Sequence, residues 1–423
     1  MYRNIIKSFI CYTCVMGMTH STAIANTLED NVIRNYIDIA EAVYTDSLIT
    51  ARSLSDTIRA LLDSPSHARL EDARNKWIIA RQSYQQTEVY RFGNAVVDDW
   101  EGKVNSWPLD EGMIDYVDTT YSSIGSESNL YTANIIANTS VIIDGRRVDA
   151  SEITAEFISN ILHEAEGVEA NVATGYHAIE FMLWGQDLNG TEAGAGNRPY
   201  TDFSIDNCSN GFCERRRQYL RSVTSLLVND LEEMVLSWGA NGAARNFVEG
   251  RGTKAGLITI LTGMGSLSQG ELAGERMKLG LLLGDPEEEH DCFSDNTHNA
   301  HYYNAIGIRN VYTGQYKRPD GSTIKGASIS DLVMQVDHDL NDRMMTRLNA
   351  SVNAVSSIVQ RAEQKEAYDQ MIATGNTEGN KIVQDAIDAL ITQAISIEMI
   401  LATLDLGDVL LQGSNSLDGG EFF

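Results

Sequence analysis

Two side chains three residues apart, His177 and Glu180 in "GYHAIEFMLWGQDL" (175–188), are the first groups of the 423-residue sequence whose types and spacing could do chemistry. On a helix, positions i and i+3 share a face. The pair can therefore meet at one point, as two ligands of a metal ion, as an acid/base pair, or as a hydrogen-bonded pair inside a core. Helical bundles do build metal sites from such carboxylate and histidine pairs. A bound zinc or iron needs three or four donors, however, so the others must come from elsewhere in the fold. Zinc peptidases carry H-E-x-x-H or H-x-x-E-H. Here Phe181 stands where the second histidine of the inverted form would be, which weakens a hydrolase reading in which Glu180 is the catalytic base. The sequence also lacks a G-x-S-x-G elbow.

Three other stretches offer partners. "WPLDEGMIDY" (107–116) places Trp107, Asp110, Glu111 and Asp115 together, and Glu88 precedes it in "QTEVYRFG". Glu88 or Asp110 is the expected third ligand, although such carboxylates also cap helices. "DPEEEHDCFSDNTHNAHYYNAIG" (285–307) carries His290, His298 and His301 among acids, with Asp291 beside the first. That clustering suits a metal-binding or partner-binding loop, and equally a run of turn and cap residues. Arg198, in "RPYTD" just after the His177 run, could fold back to hold an anion or orient a carboxylate.

Helices must position these groups. Only 5 prolines interrupt a chain that is 43% hydrophobic and 22% charged, long enough for two domains. Apolar residues recur every three to four positions over 27–63, and again from Ser66 towards Trp100. "SVIIDGRRV" reads as a hairpin turning at Asp144-Gly145. "ASEITAEFISNILHE" and "ANVATGYHAIEFMLWGQ" read as helices, and a Gly- and Asn-rich loop follows. The second half opens with "CERRRQYLRSVTSLLVNDLEEMVLSW" and later shows "YKRPDGSTIKGASISDLVMQVDHDL", which parallels the first half's Asp-Gly hairpin and following helix. The expected architecture is all-α: two four-helix-bundle-like domains related by weak internal duplication, each with a small β-hairpin insertion. Residues 26–195 form the first and 196–423 the second.

Residues 1–25 read as a signal peptide, with basic Arg3 and Lys7, a short apolar core and cleavage after Ala25. Neither Cys11 nor Cys14 has the context of a lipoprotein signal. Beyond the leader no apolar run approaches the ~20 residues needed to span a bilayer. These features imply a periplasmic protein without a transmembrane segment. Losing Arg3 and Lys7, from a segment without acids, takes the formal net charge from −27 to −29. Such acidity disfavours nucleic acid and suits cations or basic partners. Of the three remaining cysteines, Cys208 and Cys213 flank "SNGF" and could close a small loop; Cys292 is then left over, or pairs with one of them.

Taken together, "GYHAIEFMLWGQDL", "NRPYTDF", "WPLDEGMIDYV" and "EEEHDCFSDNTH", in that set and over roughly 27–420, resemble the imelysin family. The resemblance implies two four-helix bundles, export, and a G-x-H-x-x-E signature falling on Gly175, His177 and Glu180. It further implies a site near the junction of the halves, a link to iron uptake, and a metallopeptidase label. The functional expectation is a metal- or ligand-binding component of iron acquisition. Its cofactor is a divalent or ferric ion, iron or zinc, and its partners are an iron-containing ligand and an outer-membrane or periplasmic uptake protein. A metallopeptidase and a non-catalytic acidic interaction protein are the alternatives.

Overall fold

Thr27 starts the first helix through a reciprocal cap, its hydroxyl accepting from Asp30 N while Asp30 accepts from Thr27 N. The computed structural model describes residues 27–120 and 130–417, so the expected leader lies outside the described residues. Helix α1 (Leu28–Asp63) follows its amphipathic pattern to the end, and α2 (His67–Gln85) begins at the Ser66 cap. The second helix does not reach Trp100. Glu88–Tyr90 tightens into a 3₁₀ turn, Gly93 takes φ +83°, and α3 (Ala95–Asn105) restarts from the Asn94 cap. A side chain at Gly93 would press within 3.2 Å of Thr259 O, so the break lies where another helix crosses.

Next come α4 (Glu111–Ile114) and the hairpin β1 (Ser140–Ile143) with β2 (Arg146–Asp149). Asp144 and Gly145 both have positive φ, and Ile143 faces Arg146, as a two-residue primed turn requires. The helix expected over the segment after it shrinks to α5 (Ala155–Phe157) and one π turn, Ile158–Leu162. Helix α6 (Gly175–Trp184) carries the His177 pair. The second half contains α7 (Cys213–Trp238), α8 (Ala243–Glu249) and α9 (Thr253–Ser266), the last continuing as a π-helix, Leu267–Lys278, into α10 (Leu279–Leu283). Helix α11 (Thr297–Thr313), the hairpin β3 (Gln315–Lys317) and β4 (Thr323–Lys325), α12 (Ile329–Val336), α13 (His338–Gln364), α14 (Tyr368–Ile372) and α15 (Thr377–Thr403) complete the chain.

Helices α1, α2, α6 and α7 pack as one bundle; α9 with its π-helix, α11, α13 and α15 pack as the other. The first bundle takes its fourth helix from beyond residue 195, so the packing does not divide at the expected 195/196 boundary. The bundles share a face. Asn35 on α1 donates to the carbonyls of Gly314 and Ala327, and Asp46 binds Arg318 at 2.6 Å. The apolar interior is continuous between them. Among the described helices, α15 has the length and mean hydropathy (1.5) compatible with a bilayer span, but it packs against α13 and the π-helix, with half of that window buried. Gly270 and Gly274 let residues 412–414 lie on the π-helix, where a Cβ would come within 2.6 Å of Gln412 O and 2.2 Å of Ser414 Cβ.

Candidate metal centre

Every residue of α6 is buried, which places His177 and Glu180 inside the protein. The helix begins at Gly175, with φ +80°; an added Cβ would stand 2.4 Å from Val104 O at the end of α3. Glycine thus allows both the left-handed backbone and the close approach. Gly175→Ala should lose more than about 2 kcal/mol of unfolding free energy by denaturant titration. A cost below about 0.5 kcal/mol would show that α3 yields easily.

The segment between α10 and α11 brings the second half of the site. His177, His290 and Asp291 each place a donor atom within 4.8 Å of the others. The two imidazoles meet edge-to-face at 4.8 Å, and His290 Nδ1 lies 3.4 Å from Asp291 Oδ1. Glu180 Oε2 is 3.0 Å from His177 Nδ1, while its Oε1 accepts from Ser294 N (3.0 Å) and Ser294 Oγ (2.6 Å). With Nδ1 engaged, His177 Nε2 is buried without a hydrogen-bond partner among the described residues. Asp291 accepts from Arg81 Nη2 at 2.6 Å and from Asn296 at 2.8 Å. Arg81 also donates to Asn105, stacks over Tyr176 and lies 3.2 Å from His290 Nδ1.

Burial, then the nearby Arg81 charge, lowers the His177 pKa to about 3. Burial, then Arg276, holds His290 well below its usual range, so both rings are neutral and can offer a lone pair to a metal. Burial works against the Asp291 carboxylate, but the Arg81 guanidinium beside it holds it ionised. Glu180 goes the other way: burial first, and Asp291 beside it, raise its pKa well above the ordinary value. The donor set, two neutral imidazoles and a carboxylate, fits a transition ion.

The other expected site residues are placed as follows. Trp107 packs edge-on to His290 and donates to Glu289 O at 2.7 Å. Glu88 pairs instead with Arg276 of the π-helix at 2.6 Å, so it is not the third ligand of this cluster. Asp110 is the buried residue before α4 and is not one of the three converging donors. Arg198 binds Asp115 at 2.6 Å and Asp202 at 3.2 Å, in a separate buried cluster with Arg216. Cys208 and Cys213 form a disulfide and Cys292 is a free thiol. Arg81 and Ser294 were not singled out from the sequence. Arg81 had one local sign: it lies four residues after Trp77 and three before Tyr84, on the buried face of α2.

An acid-rich cleft of about 440 Å³ reaches His290 from the surface, lined in part by Asp98, Glu101, Glu164, Glu271 and Glu275. Asn105 connects its wall to the centre, donating to Glu101 at 2.8 Å and accepting from Arg81 at 2.7 Å. Burial, only partly offset by Arg91, raises the Glu101 carboxyl from 4.5 to about 7. The folded state thus holds this proton more tightly than the unfolded chain. The stability it contributes is full below pH 4.5 and is lost as pH rises through about 7. Glu101→Gln should therefore gain on the order of 2 kcal/mol relative to the parent between pH 5 and pH 8, seen by denaturant unfolding at both. Equal pH slopes would contradict this.

A family model described as Imelysin, which also carries a peptidase label, matches residues 40–397. The chain belongs to the imelysin family. Over 84 residues it is 29% identical to Iron-regulated protein A of Synechococcus elongatus, a match spanning 20% of this chain and 24% of that relative. Two imelysin-like folds of known structure superpose on nearly all of it. An iron-regulated protein A precursor from Parabacteroides distasonis is 16% identical with TM-score 0.63, covering 90% of this chain and 97% of that one. An Imelysin-like protein from Psychrobacter arcticum is 15% identical with TM-score 0.59, covering 91% and 99%. These likenesses establish the all-α imelysin fold with its small hairpin insertions.

Proposed function

We propose that this chain is an exported, periplasmic metal-binding protein of iron handling, in which His177, His290 and Asp291 hold the ion and Glu180 positions His177. The observation that carries the reading is the buried meeting of three donors from separate elements, with His177 Nε2 left unpartnered among the described residues. Carboxylates that fix a ligating imidazole through its other nitrogen are a regular support of metal sites. The acid-lined cleft ending at His290 would draw cations inward. Arg81 keeps Asp291 ionised and also competes with an ion for it, which favours reversible binding over a permanent structural metal. The iron-regulated names of the relatives agree with iron as the cargo. An outer-membrane or periplasmic uptake protein would be the partner that receives it.

A metallopeptidase reading has less support. Both Glu180 oxygens are engaged by His177 and Ser294, which leaves no carboxylate poised to activate a water. The His177 side chain is 2% exposed and that of Glu180 0%, and the small cavity beside His177 has a volume of about 10 Å³. A polypeptide substrate would need an open groove there.

Chelator-stripped protein should take up one equivalent of Fe²⁺ or Zn²⁺ in an anaerobic titration. It should not cleave an unstructured polypeptide when loaded. Absence of saturable binding by either ion would remove the reading, and cleavage abolished by Glu180→Gln would replace it with the peptidase.

A further inference from the structure

Arg198 keeps one edge that no described residue fills. Its Nη1 donates to Asp115 at 2.6 Å and to Asp202 at 3.2 Å, but Nε and Nη2 are buried without a hydrogen-bond partner among the described residues. The N–H bonds of Nε and Nη2 run parallel and form the fork that grips a carboxylate through two hydrogen bonds. The neighbouring Arg216 shows that fork in use, holding Asp115 at 2.6 Å through Nε and 3.0 Å through Nη2. Arg198 has the same fork and no acid on it. Buried guanidinium N–H groups without acceptors are costly, and an anion relieves the cost.

The fork borders a cavity of about 380 Å³ between the Tyr116–Asp118 segment and the loop after α6. Arg198, Gly185 and Tyr116 all line it, whereas Asp115 and Asp202, on the Nη1 side, do not. The guanidinium carbon lies 4.9 Å from the Tyr116 ring centre and 5.2 Å from that of Phe181, which fixes its position. Gly185, with φ +74°, leaves the Nε side without a side chain; a Cβ there would stand 3.7 Å from Nε. The fork nitrogens are themselves buried, so an anion seats on them when the loop wall, residues 186–197, gives way. Gln186 holds the start of that loop to the facing segment, its side-chain oxygen accepting from Asp118 N at 2.6 Å.

We propose that this cavity binds a small organic monocarboxylate with an apolar or aromatic body, its carboxylate seated on the Arg198 fork. Tyr116, Trp184 and Leu188 supply apolar wall for the body, and the volume is that of a small-molecule site. Among the described residues that line the cavity, Arg198 is the one base and Asp118 the one acid. The ion cluster behind the fork is balanced, Arg198 and Arg216 against Asp115 and Asp202. With no surplus of positive charge and an acid on the wall, the site suits a single negative charge better than a phosphate dianion. None of His177, Glu180, His290 and Asp291 lines this cavity, so the site does not depend on their being a metal centre.

The test uses the full chain, with phenylacetate as the probe and inorganic phosphate as the rival oxyanion. Calorimetry should find one equivalent of phenylacetate bound saturably, and phosphate bound more weakly. Arg198→Lys keeps a charge for Asp115 but loses the fork, and should weaken phenylacetate by about tenfold or more. Ala195→Phe fills the cavity from its half-buried wall and takes no part in the ion cluster. It should melt near the parent and weaken phenylacetate by a similar factor. His177→Ala should bind phenylacetate like the parent. Absence of saturable phenylacetate binding by the parent overturns the proposal, and so does phosphate binding the tighter of the two. Parent-like affinity in a folded Arg198→Lys also overturns it. Where Arg198→Lys does not fold, Ala195→Phe decides, and parent-like affinity there overturns the site.

Discussion

His177→Ala is expected to lower transition-metal affinity by more than about 100-fold, and Glu180→Gln by roughly 10–100-fold. The first removes one of the two imidazole donors. It also leaves Glu180 Oε2 buried without the 3.0 Å contact it makes to Nδ1. With an ion bound beside it, Glu180 can give up its proton and accept from Nδ1–H; the glutamine keeps the size of the side chain and an oxygen for Ser294, but its amide can only donate to Nδ1. The ring must then carry its proton on Nε2, the nitrogen left for a metal. Competition against a chelating dye measures both affinities, and melting of the stripped variants separates binding from folding. An unchanged affinity in His177→Ala would show that the donors lie elsewhere. An unchanged affinity in Glu180→Gln alone would leave the ligands intact but deny the carboxylate its positioning role.

What the sequence could tell depended on how far apart the interacting residues lie along the chain. Helices α1 and α7 were legible because their periodicity and boundaries are local, and so was the Asp144-Gly145 turn. The shared face of His177 and Glu180 was legible for the same reason. Glu88 illustrates the limit. Its carboxylate looked free for a metal, but Arg276, 188 residues away, takes it, and no local pattern announces that partner. Arg81 and Asp291 meet across 210 residues, and only a charged residue on a buried helical face hinted at such a contact. The break after α2 was hidden because the apolar pattern continues through it, while the crossing helix at Gly93 decides the backbone. The π-helix was equally hidden: its glycines serve contacts with residues 412–414, more than a hundred positions on.

Arg198 shows how position beside a motif can mislead about role, and its cluster carries the largest stability effect expected here. Asp115→Ala should cost about 3–5 kcal/mol, because removing one partner of a buried ion pair strands the other. Asp115 accepts from Arg198 Nη1 at 2.6 Å and from Arg216 Nε at 2.6 Å and Nη2 at 3.0 Å, and both guanidinium groups are buried. Asp202 cannot replace it, since its carboxylate already serves Tyr116, Ser209 and Asn210 as well as Arg198. Burial disfavours the Asp115 charge, but Arg198 and Arg216 hold its pKa below the ordinary 3.8. The stability it supplies is therefore present above that pH and lost as acid protonates it. Chemical unfolding at pH 7 measures the cost, and metal stoichiometry per folded molecule should stay at the parent value. A variant that unfolds normally but loses its metal would return Arg198 to the binding site; one that does the reverse assigns it to the joint between α7 and the loop after α6.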